Sequence, residues 1–161
     1  MKSHTNKVMS IGSQNTLNPH VVAWVNETAT LCEPDRIYWC DGSEEERTQL
    51  TEEAVRQGVL IELNQEKLPG CYLHRSHPND VARVEACTYI CTPTQKEAGP
   101  TNNWTAPDQM YERLRQLSAG AMRGRTLYVV PYLMGPPGSP LARVGIELTD
   151  SLYVALSMRI M

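Results

Sequence analysis

Apolar residues follow two different spacings along the chain, and these spacings predict where helices and strands lie. After Asn18, apolar residues recur at the three-to-four-residue interval that is typical of a helix with one buried face. Asn18 is a suitable N-cap, and Pro19 suits the first helical position. We expect Trp24 to lie in the core. The predicted buried face comprises Val21, Trp24, Val25, Thr28, Leu31 and Cys32.

β-prone runs and helical stretches then alternate. Residues 37–40 predict a strand, and Asp41 and Gly42 form the turn that follows it. Ser43 and Glu46 form a capping box for a second helix, which we expect to end at Gly58. We attribute its acidic first turn to compensation of the helix dipole and not to catalysis. Further strands are predicted at 59–63, 88–92, 126–133 and 144–148, and further helices at 107–117 and from about 150 onward.

This alternation predicts an α/β fold with a mixed sheet and flanking helices, and it argues against a helical bundle. The helix at 107–117 should turn Met110, Leu114 and Leu117 inward. Residues 135–140 read GPPGSP and fit neither a helix nor a central strand, because prolines lack an N–H donor. We expect a rigid loop there, and not a phosphate cradle, which would need free N–H groups.

Composition limits the class of protein. The chain has 161 residues and a formal net charge of −3, which gives no indication of a nucleic-acid partner. No apolar run approaches the roughly 20 residues that span a bilayer, so we expect no membrane partner. Residues 1–17 are polar and lack the apolar centre of a signal peptide. We therefore expect a flexible polar tail over 1–17, one domain over 18–161 and a cytoplasmic location.

Metal and disulfide chemistry have little support in the sequence. Cys87 and Cys91 should share one face of a predicted strand, and we expect small buried thiols there. His74 and His77 could share a ligand, but a metal site needs three or more converging ligands, so we predict none. The chain also contains no G-x-x-x-x-G-K-S/T phosphate-binding loop.

Residues 73–85 carry the densest chemistry, with two arginines, two histidines and two acids. Pro78 suits the first turn of a helix, so a short helical turn is predicted at about 78–83. Arg83 would lie at its exit, where the planar guanidinium could hold a carboxylate or phosphate through two parallel hydrogen bonds. The alternative is a solvated turn in which Arg75 and Arg83 pair with Asp80 and Glu85.

Residues 74–85, HRSHPNDVARVE, resemble a motif of the GTP-dependent phosphoenolpyruvate carboxykinase family. Four further motifs resemble the same family in the same order, and the resemblance runs from about residue 18 to residue 161. The first of them is similar to the bacterial branch. They are AGPTNNW at 98–104, RGRTLYVVP at 123–131, MGPPGSP at 134–140, and GIELTDS at 145–151 with SMRIM at 157–161.

The resemblance implies a lyase of gluconeogenesis that converts oxaloacetate and GTP to phosphoenolpyruvate, GDP and carbon dioxide, with Mn²⁺ or Mg²⁺. Arg83 matches the arginine that binds the substrate anion in this family. Glu85 matches an acid that helps hold the active-site lid closed. The family's nucleotide loop, reactive cysteine and metal ligands lie further along the chain, so no catalytic, cofactor-binding or metal-binding residue is assigned here.

We therefore expect the family's N-terminal substrate-binding domain, incomplete at its C-terminus, which binds no cofactor and is inactive by itself. Its partner would be the missing C-terminal part of a monomeric enzyme. The apolar, uncapped residues 153–161 favour this interpretation and predict an exposed apolar patch. The alternative is a free-standing anion-binding α/β module. The family pattern is broken at Tyr132, Leu133, Pro137 and Leu152.

Overall fold

Strands and helices alternate along the computed structural model, which describes residues 9–12, 16, 18–78 and 84–159. This alternation, together with a sheet of mixed direction, confirms the predicted α/β class. In chain order the elements are β1 (Met9–Ile11), α1 (Pro19–Cys32), β2 (Arg36–Trp39), α2 (Glu44–Arg56), β3 (Ile61–Glu62), β4 (Tyr72–Leu73), a 3₁₀ turn (Glu85–Cys87), β5 (Tyr89–Ile90), α3 (Gln95–Ala98), β6 (Asn103–Trp104), α4 (Pro107–Ser118), β7 (Thr126–Met134), β8 (Arg143–Thr149) and α5 (Leu152–Ser157).

The main sheet has the strand order β1-β2-β7-β8. Strand β2 is parallel to β1 and to β7, whereas β8 returns antiparallel to β7 as a hairpin. Residues 126–130 of β7 are all buried, which is typical of a central strand covered on both faces. The predicted strands at 37–40, 126–133 and 144–148 are confirmed with small shifts of their ends.

Helices cover both faces of this sheet. Neighbouring side chains of a strand point to opposite faces, so alternate residues of β7 pack against different helices. Leu127 and Val129 pack with Val25 and Ala29 of α1. On the other face, the side chains of β7 pack with residues of α2 and α5. That second cluster comprises Leu50, Ala54, Tyr128, Val130, Leu152 and Ala155.

The predicted helix starts are confirmed. Asn18 accepts a hydrogen bond from the N–H of His20 at 3.0 Å. Ser43 accepts one from the N–H of Glu46 at 3.1 Å, but the Glu46 carboxylate accepts from the N–H groups before Ser43 instead of completing the capping box. Helix α2 ends at Arg56, and Gly58 follows it at a φ of +73°.

On the predicted helix faces, Val25 and Cys32 of α1 are buried as expected, but three residues predicted to face inward are exposed. Trp24 is 45% exposed and lies outside the core, where Val25, Ala29 and Cys32 are the buried residues of α1. Leu114 and Leu117 of α4 are 51% and 68% exposed. Helix α4 has no buried residue, because the sheet faces described here are covered by α1, α2 and α5.

Two further expectations need correction. Cys87 and Cys91 are exposed, and Cys87 belongs to the 3₁₀ turn, so neither is a buried strand thiol. Within residues 1–17, Met9–Ile11 forms the edge strand β1, which no pattern in the sequence indicated. The helix predicted from about residue 150 is α5, which begins at Leu152 after the N-cap Ser151 and ends at Ser157.

The chain between α2 and α4 contains two small sheets. Strands β3 and β4 are antiparallel, and β5 and β6 are parallel. The predicted strands at 59–63 and 88–92 are therefore present but only two residues long. This region leaves the main sheet after β2 and returns to it at β7, and it carries residues 74–85.

Candidate functional site

Residues 74–85, here called the arginine segment, connect β4 to the 3₁₀ turn. The structure describes its start, 74–78, and its end, 84–85. Arg83 and Asp80 lie outside the described residues, as does most of the predicted helical turn at 78–83. The substrate role of Arg83 and the pairing of Arg75 with Asp80 therefore stay predictions. Arg75 is exposed.

His74 fixes the start of the arginine segment through two contacts. Its Nδ1 lies 2.7 Å from the carbonyl oxygen of Val59, and because a carbonyl only accepts, Nδ1 carries the proton and donates. The imidazole also stacks on the ring of Tyr153 in α5, with centroids 3.9 Å apart and planes inclined by 15°. The first residue of the segment after β4 is therefore held by two contacts, one to the backbone of Val59 and one to the ring of Tyr153.

Glu85 lies at the end of the segment, where it begins the 3₁₀ turn and is exposed. Its carbonyl oxygen accepts a hydrogen bond from Nδ2 of Asn103 at 2.8 Å, and the same amide donates to the carbonyl of Thr88 at 3.2 Å. Asn103 begins β6, so the end of the segment is joined to a second small sheet. The lid-coupling role of the Glu85 carboxylate stays a prediction.

The AGPTNNW motif holds its own loop together. The indole N–H of Trp104 donates to the carbonyl of Thr92 at 2.9 Å. Asn102 donates through Nδ2 to the carbonyl of Ala98 at 2.6 Å, and Gly99 follows α3 at a φ of +83°. Of the side-chain bonds described for this motif, the one from Asn102 to Ala98 is internal, and those of Asn103 and Trp104 join the motif to Glu85, Thr88 and Thr92.

The GPPGSP loop joins β7 to β8 and forms neither helix nor strand, as predicted. The N–H of Ser139 donates to the carbonyl of Pro136 at 3.1 Å within this loop, and the N–H of Ala142, which follows it, donates to the carbonyl of Ser139 at 3.1 Å. Nearby, a Cβ atom added to Gly145 would lie 2.3 Å from Cζ of Tyr132. Glycine at 145 thus makes room for Tyr132, one of the residues that break the family pattern.

A buried ion pair between α2 and the chain after α5 was not predicted. Glu46 is 4% exposed, and its Oε2 accepts from the N–H of Gly42 at 2.6 Å and of Asp41 at 3.1 Å. Arg159 approaches the same oxygen at 3.4 Å and donates to the carbonyl of Gly42 at 3.0 Å. These groups line a cavity of about 200 Å³ beside Cys40 and Pro131.

This cavity is not suited to nucleophilic catalysis. Burial, and then the Glu46 carboxylate, raise the pKa of the Cys40 thiol well above its ordinary value, so the thiol stays protonated at neutral pH. Tyr38 does not line this cavity, but burial and Glu46 likewise raise its pKa, to about 12. The capping pattern indicated only the local role of Glu46, and nothing indicated Arg159 at a separation of 113 residues.

The described part of the chain offers no metal cage. Among those residues, no three His, Cys, Asp or Glu side chains come together. A metal site needs at least three converging ligands, so these residues do not fit a divalent cation. Within the same residues, no helix is both long enough and apolar enough to cross a membrane.

Comparison with known proteins identifies the fold family. The family model "Phosphoenolpyruvate carboxykinase N-terminal domain" matches residues 23–161. The chain is 59% identical over 152 residues to a phosphoenolpyruvate carboxykinase (GTP) from Anaeromyxobacter dehalogenans (strain 2CP-C), covering 94% of this chain and 26% of that protein. It is 50% identical over 153 residues to the protein of the same name from Neocallimastix frontalis, covering 95% of this chain and 25% of that protein.

A third relative of the same name, from Arthrobacter sp. (strain FB24), is 52% identical over 146 residues, with 91% of this chain and 24% of that protein covered. The chain therefore spans about a quarter of the length of the curated relatives it matches. The five motifs, the mixed sheet with helices on both faces and the family match agree. The chain belongs to the phosphoenolpyruvate carboxykinase N-terminal domain family.

Proposed function

We propose that the chain is the substrate-binding part of a GTP-dependent phosphoenolpyruvate carboxykinase and that Arg83 binds the substrate anion. The observation that carries the proposal is the 59% identity to a carboxykinase over 94% of this chain, which includes the arginine segment. The described ends of that segment, at His74 and Glu85, are both held by specific contacts. A binding residue needs such support, because a loosely held side chain pays an entropy cost on each binding event.

The chemistry of an arginine fits this role. Oxaloacetate and phosphoenolpyruvate are anions, and a guanidinium is permanently charged and presents two parallel N–H groups to a carboxylate or phosphate. In the reaction, oxaloacetate loses carbon dioxide and receives the γ-phosphoryl group of GTP, which yields phosphoenolpyruvate and GDP. A fixed positive charge orients the substrate and stabilises negative charge that develops during transfer.

The remaining parts of the enzyme would come from the rest of a longer chain. The described residues form no metal cage, and the sequence has no G-x-x-x-x-G-K-S/T loop. Because the chain spans about a quarter of the length of its carboxykinase relatives, we propose that GTP and the divalent cation, Mn²⁺ or Mg²⁺, are held by other parts of the longer protein. Glu85 would couple this domain to a lid. The full enzyme would be a cytoplasmic monomer.

The alternative, a non-catalytic anion-binding module, would use the same arginines without a nucleotide site. The relatives that match almost the whole chain are named as carboxykinases, so they do not favour this alternative.

The test is steady-state kinetics of the full-length enzyme with Arg83→Ala and Arg83→Lys. Each charged hydrogen bond contributes about 1.5–3 kcal/mol, so alanine should lower kcat/KM for the substrate anion by roughly one to two orders of magnitude or more. Lysine, which keeps the charge without the planar geometry, should fall between alanine and wild type. GTP affinity should hardly change.

Arg75→Ala is the matched control, because Arg75 is an exposed arginine of the same segment. It should change substrate kinetics little. Wild-type kinetics in Arg83→Ala, together with a loss in Arg75→Ala, would show that the substrate arginine has been assigned wrongly.

A further inference from the structure

Strand β8 forms one edge of the main sheet, and this edge is long and regular. Its seven residues, Arg143–Thr149, pair one to one with residues of β7, so the strand has no bulge. In an antiparallel strand, alternate residues direct their N–H and C=O groups away from the neighbouring strand. Outside its pairing with β7, β8 makes no backbone–backbone hydrogen bond to any part of the chain that the structure describes. The outer side of β8 can therefore accept a further strand.

Proteins usually protect such an edge, and β8 lacks the usual protection. Common devices are a very short strand, a proline, a bulge or charges that repel a second strand. The opposite edge of the sheet is β1, which has only three residues. Strand β8 reads RVGIELT, without proline or lysine, and its two charges have opposite signs. Its Val144 is 78% exposed, so a large apolar side chain is left at this edge by the described residues.

The charges of β8 are complementary to those of a second β8 that runs in the opposite direction. When two antiparallel copies pair about Gly145, Arg143 of each copy lies directly opposite Glu147 of the other. Opposite residues have Cβ atoms about 4.5–5.5 Å apart on the same face, so both charge pairs attract. Among the described residues, neither Arg143 nor Glu147 has an ion-pair partner. Arg143 donates to the carbonyls of Pro140 and Ala142, which are uncharged.

The same register also pairs the apolar residues of the strand. Val144 of one copy lies opposite Ile146 of the other, and Ile146 already packs against the core cluster beneath α1. A shift of two residues in either direction keeps the hydrogen-bonding pattern but places Glu147 opposite Leu141 or Gly145. Of these three registers, the one about Gly145 therefore satisfies both the charged and the apolar residues.

We propose that two copies of the 161-residue chain associate through β8, as a symmetric antiparallel pair about Gly145 that continues the four-stranded sheet across a two-fold axis. Such an interface is isologous, because the same residues serve on both copies. It consists of one added strand pair and a few side-chain contacts, so the dimer is weak and dissociates on dilution. The inference goes beyond the proposed function and is independent of it, because it concerns this chain by itself.

Sedimentation equilibrium of the 161-residue chain measures the dissociation constant of the dimer. Over protein concentrations from about 1 µM to 1 mM, the mean mass should rise from that of one chain toward that of two. Glu147→Arg brings like charges together at both pairs, and so does Arg143→Glu. Each should raise Kd roughly tenfold or more. A wild-type chain that stays monomeric at the highest concentration would overturn the proposal.

A mixture of these two variants tests the pairing itself. A heterodimer of Glu147→Arg with Arg143→Glu has an acid opposite an arginine at both pairs. The mixture should therefore associate with a Kd near that of wild type, although neither variant does so alone. A chain that carries both substitutions has exchanged its two charges and should also recover the dimer. Failure of both recoveries, in variants with the wild-type circular dichroism spectrum, would contradict antiparallel pairing in this register.

The side chain of Arg143 is exposed, whereas Glu147 is half-buried. If Glu147→Arg fails to fold, Arg143→Glu alone decides, since an unchanged Kd in that variant would overturn the proposal. Glu112→Arg is the matched control, because Glu112 is an exposed glutamate of α4 and the change in net charge is the same. Its Kd should equal that of wild type, and an equal loss of dimer would reduce the effect to net charge and refute the specific pairing.

A further variant distinguishes β8 from the other exposed apolar surface described above. Leu114→Asp changes the exposed face of α4 and should leave Kd unchanged. If Leu114→Asp dissociated the dimer while the charge reversals in β8 had no effect, the interface would lie on α4 and the proposal would be wrong.

Discussion

Glu46→Gln should destabilise the fold far more than the loss of an ordinary helix-capping acid. The carboxylate is 4% exposed, and its Oε2 accepts from two backbone N–H groups while facing Arg159. A glutamine of the same shape keeps an acceptor oxygen but loses the charge. Arg159, only 15% exposed at its side chain, then keeps a single carboxylate partner, the exposed Glu44, whose Oε1 lies 3.4 Å from Nη2 of Arg159.

The size of the effect follows from these contacts. Hydrogen bonds to a charged acceptor contribute about 1.5–3 kcal/mol each, and removing one member of a buried ion pair costs about 3–5 kcal/mol. These contributions overlap, because the same oxygen serves all three donors, and the amide retains part of the bonding. We expect a loss of about 2–4 kcal/mol in the free energy of unfolding.

The measurement is urea unfolding of the 161-residue chain, followed by circular dichroism. Glu45→Gln is the matched control, since Glu45 is an exposed acid of the same first turn and loses only its interaction with the helix dipole, about 0.3–1 kcal/mol. A double variant, Glu46→Leu with Arg159→Met, should recover part of the loss, because no buried charge is left unpaired. If Glu46→Gln cost no more than Glu45→Gln, the ion pair would have no structural role and the reasoning would be refuted.

Three further outcomes are expected. In the native chain, iodoacetamide should leave Cys40 unmodified at neutral pH, because burial and Glu46 raise its thiol pKa. Mass spectrometry should find the label on the exposed thiols Cys71, Cys87 and Cys91. Early labelling of Cys40 would contradict this prediction. Asp41→Asn should weaken the fall in melting temperature at acidic pH. The backbone N–H of Ser43 lowers the pKa of Asp41 in the folded state, so the charged Asp41 stabilises the fold fully above the ordinary pKa of 3.8, and this stabilisation is lost as pH falls below that value. Identical profiles of melting temperature against pH for the variant and the wild type would argue against this. Gly145→Ala should lower the free energy of unfolding by about 1–3 kcal/mol, because the new methyl group would overlap the ring of Tyr132. Calorimetry should show that Tyr132→Ala in the same chain relieves most of this loss. If the losses of the two substitutions were additive in the double variant, the clash would not be the cause.

Local rules predicted the starts of the helices well, because capping depends on residues within one turn. Asn18 and Ser43, the two predicted caps, each accept a hydrogen bond from an N–H two or three residues ahead, and Ser151 does so where a helix was predicted from about residue 150. The same rules cannot show which apolar face has a partner. Helix α4 has the predicted spacing of Leu114 and Leu117, yet both are exposed, since burial depends on which elements reach the sheet.

Long-range pairings were the features that the sequence could not indicate. Strand β1 exists because three residues of a polar region pair with β2, and the short run has no alternation that would predict it. The link between Glu46 and Arg159, and the contacts of His74 with Tyr153 and of Glu85 with Asn103, join residues that are distant in sequence. The motifs predicted a site in the arginine segment, and the structure supplied the residues that hold its ends.

The order of strands in the main sheet has a consequence for how such a domain folds and diverges. Strands β2 and β7 are direct neighbours in a parallel register that pairs Arg36 with Thr126, so the centre of the sheet cannot close before β7 has been synthesised. Pairing across so long a stretch of chain slows folding, because loop closure precedes any gain from the contacts. The equilibrium cost, however, grows only with the logarithm of loop length, by about 0.6 kcal/mol for each doubling. The region that carries the arginine segment can therefore lengthen or shorten over evolution with little effect on the stability of the sheet that supports it.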